Sequence, residues 1–165
     1  MKKLFVIAIV GLMSFVFAVS AAQAQGNVKQ GPEITRDSDM EKDSLHNLEA
    51  ARLYFKLRKA YVAALQRCEE IVAGYPAFSR IDEVLYIAGK SNLFLSEGKG
   101  KQKPDLYKRT GANQQSVKLT ADEFRLEARA YFTQLVESYP QSKFKDEAME
   151  DLKSLGGPVA RDSKQ

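Results

Sequence analysis

The side chains that could carry chemistry are few. His46 is the only histidine and Cys68 the only cysteine in the 165 residues. One imidazole cannot assemble a histidine metal cluster or a Ser-His-Asp triad, and Cys68 falls on a different predicted helix from His46 with no second base to activate its thiol. Both read as structural. The carboxylate pairs Glu69-Glu70, Asp82-Glu83 and Asp146-Glu147 could serve acid–base work, yet acidic residues in the first turn of a helix are accounted for by its dipole. Gly98 and Gly100 stand among lysines with no strand in front of them, so neither a phosphate loop nor a dinucleotide pattern forms. These residues point away from an enzyme and give no cofactor or metal ligand set; the expectation is a binding protein.

The elements that would position a binding surface are helices. Leu45, Leu48, Ala51 and Phe55, then Ala64, Leu65, Cys68, Ile71 and Val72, recur at three- and four-residue steps, which marks helices with one buried face. The break between these two falls near Lys59-Ala60-Tyr61, and the second ends at Gly74-Tyr75-Pro76, where glycine permits a left-handed cap and proline cannot continue the ladder. A third helix is predicted from Ile81 to Ser96, ending in Gly98 and Gly100. Thr120-Ala121-Asp122-Glu123 supplies an N-cap and an acidic residue three on for a fourth helix through Ala128, Phe132, Leu135 and Val136, which stops at Tyr139-Pro140. A short last helix, about 143–155, closes at Gly156-Gly157-Pro158.

The chain opens with Lys2 and Lys3, an apolar run from Leu4 to Val19, and Ala22-Gln23-Ala24, the pattern of a secretory leader cut after Ala24. The alternative is a retained membrane anchor, since the run approaches the roughly 18 residues that span a bilayer. On the first reading residues 1–24 are a signal peptide, 25–43 a disordered polar lead-in, 44–157 one all-α domain, and 158–165 a frayed tail. The mature part would be periplasmic and soluble. No cysteine stands at the cut for a lipid anchor, and one cysteine allows no internal disulfide. The net charge of +4 includes the two leader lysines, and a mature chain near +2 is too balanced for a nucleic-acid binder.

A repeat runs through the domain. Tyr75-Pro76, five residues, Asp82-Glu83 recurs as Tyr139-Pro140, five residues, Asp146-Glu147, at an offset of 64. At the same offset Ala64, Cys68, Ile71 and Pro76 match Ala128, Phe132, Leu135 and Pro140. A small residue lets two helices approach closely, the larger one four on fills the space beside it, and proline ends the hairpin. These are positions of a tetratricopeptide second helix, with Phe55 as the first-helix aromatic and Leu85, Ala88 and Gly89 at the Trp-Leu-Gly positions of the next repeat. The fold implied is a short superhelix of helical hairpins, about five helices, with a long basic loop inserted at 98–120 and the last helix as a cap.

The Arg- and Lys-rich helix end Leu57-Arg58-Lys59 and the phrase Tyr-Pro-x5-Asp-Glu closing each hairpin resemble the BamD (YfiO) family of outer-membrane assembly proteins, over about residues 45–155. The resemblance implies a protein-binding adaptor of the cell envelope whose partners are outer-membrane β-barrel assembly components. A division coordinator of the YbgF type is the other envelope repeat protein it suggests.

Two surfaces are candidates. In the tetratricopeptide register the concave groove is lined by His46, Glu49, Leu53 and Lys56 from repeat one and Glu83, Tyr86, Lys90 and Leu93 from repeat two. The alternative for these residues is packing against neighbouring helices. Lys99, Lys101, Lys103, Lys108, Arg109 and Lys118 against Asp105 alone make the 98–120 loop about +5, a candidate site for an anionic envelope polymer such as lipopolysaccharide. The alternative for the loop is a solvated, flexible excursion; with almost no apolar residue in register, deletion of about 100–116 is expected to leave the helices folded.

Overall fold

The computed structural model describes residues 37–110 and 116–158. Residues 1–24, expected to be a leader, most of the expected lead-in, and residues 111–115 and 159–165 lie outside them. The described chain is an all-α stack of helical hairpins: α1 (Ser38–Arg52), a π-helical segment (Leu53–Arg58), α2 (Tyr61–Gly74), α3 (Ile81–Ser96), α4 (Ala121–Ser138) and α5 (Lys145–Ser154). Each helix packs on its neighbour in the chain, α1 on α2 and so on to α4 on α5, with α1 also reaching α3. Among the described residues no helix is long and apolar enough to cross a membrane.

Helix α1 begins six residues before the expected Ser44, which corrects the bounds of the polar lead-in. The Asp37 carboxylate accepts from the backbone N–H of Asp39 (2.9 Å) and Met40 (3.2 Å), and Asp39 and Glu41 complement the dipole. Capping rather than apolar periodicity starts this helix, and Glu41 ties it to the N–H of Ser79 in the turn before α3. At its other end the backbone widens into the π segment and stops where Lys59 takes a left-handed conformation (φ 50°).

The offset of 64 is built into the backbone. Tyr75 and Tyr139 end α2 and α4 in similar conformations, donating to the carbonyls of Ile71 (2.8 Å) and Leu135 (2.9 Å). Phe78 N–H to Tyr75 repeats as Ser142 N–H to Tyr139, and Ile81 to Phe78 repeats as Lys145 to Ser142. Helices α3 and α5 then start 64 residues apart, so α5 opens at Lys145 instead of Lys143. Gly74 does not take the left-handed cap expected of it; Tyr75 (φ -147°, ψ 74°) and Pro76 turn the chain. The matched residues Ala64, Cys68 and Ile71 and their counterparts Ala128, Phe132 and Leu135 are all buried.

Helices α3 and α4 approach closely at Gly89. A Cβ there would stand 2.5 Å from Cε1 of Phe132, so glycine is what lets the fully buried ring lie against the α3 backbone. Helix α4 opens as expected, on a capping box in which Thr120 and Glu123 satisfy each other's backbone N–H groups.

The described residues of the 98–120 insertion carry regular structure and are fastened to the helices, unlike a solvated excursion. It holds a 3-10 turn (Pro104–Leu106) and a two-stranded antiparallel ribbon, β1 (Arg109–Thr110) with β2 (Ser116–Val117), in which Arg109 faces Val117. Its first residues are fastened to the α1–α2 junction: Lys101 N–H donates to the Lys59 carbonyl (2.9 Å), and the Gln102 side chain accepts from Ala63 N–H (3.0 Å). Gly100 (φ 98°) passes so close that a Cβ would lie 2.7 Å from the Lys59 oxygen. Tyr107 is buried in the core, edge-on to Phe124 at 5.6 Å. Tyr107 is thus a core residue that the near-absence of periodic apolar residues in the loop did not announce.

Candidate functional site

The residues considered for chemistry are taken up by packing or left alone on the surface. His46 is exposed on α1, while Cys68 is fully buried in α2, where burial, helped by the charges of Glu69 and Glu83, pushes its thiol up and keeps it protonated. Asp82 accepts from the hydroxyl of Ser142 (2.7 Å), linking the two matched turns. Among the described residues no group of three or more His, Cys, Asp or Glu side chains is placed to hold a metal ion.

Half of the proposed groove is open and half is closed. His46, Glu49, Leu53 and Lys56 are exposed along α1 and the π segment. The four residues expected from the second repeat are engaged instead, because α3 packs on α2 and α4 and also receives Arg52 from α1 and side chains of and before α5. Glu83 is buried and receives Arg52 in a two-pronged pair, Nε to Oε1 and Nη2 to Oε2 at 2.6 Å each, with Arg80 at 3.0 Å. Burial pushes its carboxyl up, but Arg52, Arg80 and Lys143 together hold it below the ordinary value. Tyr86 stacks on Phe144 (4.6 Å between centroids) and bonds to Glu147, whose carboxyl it and Lys90 hold down. Lys90 pairs with Asp151 (2.9 Å) and Glu147 (3.3 Å), and Leu93 is in the core. For these residues the packing alternative prevails.

The basic loop divides in a similar way. Lys99 pairs with Glu97, Arg109 with Glu127 and Lys118 with Asp105. Lys101, Lys103 and Lys108 are exposed and meet no carboxylate among the described residues. The six cations are therefore not one array, and the unpaired charge is concentrated toward the start of the loop.

A polar network unforeseen in the sequence anchors the loop's middle. Tyr107 donates to Glu69 Oε1 (2.6 Å), and the Arg109–Glu127 pair (3.0 Å) lies beside it. Burial pushes the Glu69 carboxyl up; Tyr107 and Arg109 offset only part of that. An aromatic flanked by cations in a polar stretch gives no periodic signal, so no pattern in the sequence singled Tyr107 out. Two clefts flank the stack. One of about 520 Å³ lies between the matched Tyr-Pro turns, lined by Pro76, Phe78, Asp82, Tyr139 and Pro140 among others; one of about 650 Å³ is lined by Leu93, Leu126, Arg129 and Leu155 among others. Compared with family models, curated proteins and solved structures, the chain gives no match.

Proposed function

We propose that the chain is a helical-repeat adaptor of the cell envelope, exported across the inner membrane, that binds a protein partner along the outer face of α1 and performs no chemistry of its own. The observation that carries this reading is the 64-residue repeat, kept both in the turn hydrogen bonds and in the buried residues. Stacked hairpins of this kind are built to present an extended surface. The tetratricopeptide resemblance supports it, and within that class the BamD-like phrases favour a partner from outer-membrane β-barrel assembly over the division machinery.

The partner surface is His46, Glu49, Leu53 and Lys56: an imidazole, an acid, an apolar residue and an amine at helical spacing that suit an amphipathic peptide or helix. A photocrosslinking residue placed at Glu49 or Leu53 should capture a discrete partner from envelope extracts. The same residue at Glu150, on the outer side of α5, should not. Equal capture at both positions, or capture undiminished by Leu53→Glu, would remove the support for this face.

A further inference from the structure

A second surface, starting one residue beyond Lys56 where the π segment ends, has a different chemistry. Leu57 is 76% exposed, the most exposed of the large apolar side chains among the described residues. Next to it in the chain stand Arg58, the last residue of the segment, and Lys59, its left-handed cap. Lys101 of the inserted loop is tied to this point by its N–H bond to the Lys59 carbonyl beside the Gly100 approach, and Lys103 follows two residues on, both exposed. None of these four cations has a carboxylate partner among the described residues; Arg58 lies over the Tyr54 ring at 5.9 Å. Lys99, one residue before Gly100, is the only cation at this corner with an ion pair, to Glu97.

The corner is held rigidly from beneath. Phe55, Tyr61 and Phe94 form a closed aromatic cluster, with centroids 5.5 Å, 5.9 Å and 4.8 Å apart, joining the π segment, α2 and α3. Lys59 holds the left-handed conformation that ends the segment, and its carbonyl is fixed by the loop. A lysine in that conformation between two chain segments is costly unless its surroundings determine it.

We propose that this corner docks on the surface of an anionic phospholipid bilayer, with Arg58, Lys59, Lys101 and Lys103 against the headgroups and Leu57 entering the interfacial layer. Charge complementarity selects an anionic ligand, and Leu57 selects among anionic ligands. A soluble polyanion offers nothing to an exposed leucine, whereas a bilayer offers both phosphates and an apolar layer a few ångströms below them. The proposal is independent of the protein-binding face on α1.

The chain contains no tryptophan, so Leu57→Trp makes a single reporter at the point of contact. In the full chain, the emission of this introduced indole should shift to the blue with vesicles of phosphatidylglycerol and phosphatidylcholine at low salt. Lipids brominated on the acyl chains should quench it, and the indole of a separate Leu126→Trp variant, exposed on α4, should respond to neither. Changing Arg58, Lys59, Lys101 and Lys103 to Gln in the Leu57→Trp background should raise the lipid concentration for half-response by on the order of a hundredfold or more, with an unchanged helical circular dichroism spectrum. Unshifted emission from the Leu57→Trp variant in the presence of anionic vesicles overturns the proposal. So does an equal response to pure phosphatidylcholine, or an equal response to soluble heparin, which would assign the corner to a soluble polyanion.

Discussion

Removing Tyr107 should unfasten the inserted loop and destabilise the whole helical stack. Its ring is 2% exposed and packs edge-on against the fully buried Phe124 of α4, while its hydroxyl donates to Glu69 of α2. One loop residue thus bridges two helices. Truncating a buried aromatic costs about 3–5 kcal/mol, and at about 3–5 °C per kcal/mol for a domain of this size Tyr107→Ala should lower Tm by roughly 10–20 °C. The milder Tyr107→Phe keeps the ring contact and removes only the donor to Glu69. Leaving a partly buried carboxylate without that donor costs about 1–3 kcal/mol, and the nearby Arg109 places the expected loss near the lower end.

Glu69→Gln provides the internal check, since a neutral amide can still accept from Tyr107 while lacking the charge that burial disfavours. It should be neutral or stabilising at pH 7, and in the Tyr107→Phe background it should recover part of the loss. Chemical denaturation followed by circular dichroism, run for the four proteins of this cycle and for Tyr107→Ala, measures each quantity. Deleting 100–116 removes Gln102 and Tyr107 together, so its cost should equal or exceed that of Tyr107→Ala. A Tyr107→Ala cost below about 1 kcal/mol, or a deletion with the stability of the intact chain, would refute the reading of the loop as a staple.

Three further outcomes follow from the same contacts. Gly89→Ala should destabilise by about 1–2 kcal/mol in thermal unfolding, because overpacking against Phe132 outweighs the helix-propensity gain; Phe132→Leu in the same chain should return part of it. Glu83→Ala should cost about 3 kcal/mol, the low end for a buried pair because Arg52 and Arg80 are partly exposed, and Arg52→Ala should cost less than Glu83→Ala. The pH dependence has two opposite parts. Glu83, held below the ordinary 4.5, gives stability that is present above that value and lost as pH falls through its folded pKa; Glu69, held above 4.5, gives stability that is present below it and lost as pH rises through its folded pKa. Unfolding measured from about pH 3 to 7 should therefore show the acid loss flattened by Glu83→Gln and the neutral-side loss flattened by Glu69→Gln.

The helices were legible because burial on one face leaves a periodic trace. Ile81–Ser96 matches its predicted bounds, and α2 and α4 end at the Tyr-Pro steps where expected. The repeat was legible for the same reason, since Ala64 and Ala128 or Cys68 and Phe132 must fill equivalent spaces. Where a boundary depends on one polar side chain the trace is absent. The six residues before Ser44 are helical because Asp37 caps them, although they carry little apolar periodicity. The π segment likewise has ordinary helix-forming residues, and its widening becomes visible in the five-residue step of the bond from Lys59 N–H to the Tyr54 carbonyl.

The candidate site was legible only in part because a helical face states which residues share a side, not what comes to cover that side. His46, Glu49, Leu53 and Lys56 form a stripe and stay exposed; Glu83, Tyr86, Lys90 and Leu93 form an equally good stripe and are covered. What differs is the neighbour. Arg52 crosses from α1 to Glu83, and Phe144, Glu147 and Asp151 meet Tyr86 and Lys90 from the start and length of α5, so the second stripe becomes the seam between stacked units. The charge count of the loop failed for the same reason, since Glu97, Glu127 and Asp105 neutralise Lys99, Arg109 and Lys118 through contacts that the folded chain sets. Of the cations left over, Lys101 is tied through its backbone to Lys59, beside Arg58, residues more than 40 positions away from it along the chain. A surface of that kind is a property of the loop's attachment at Lys59 and Ala63, and it would vanish as a single surface if that attachment were cut.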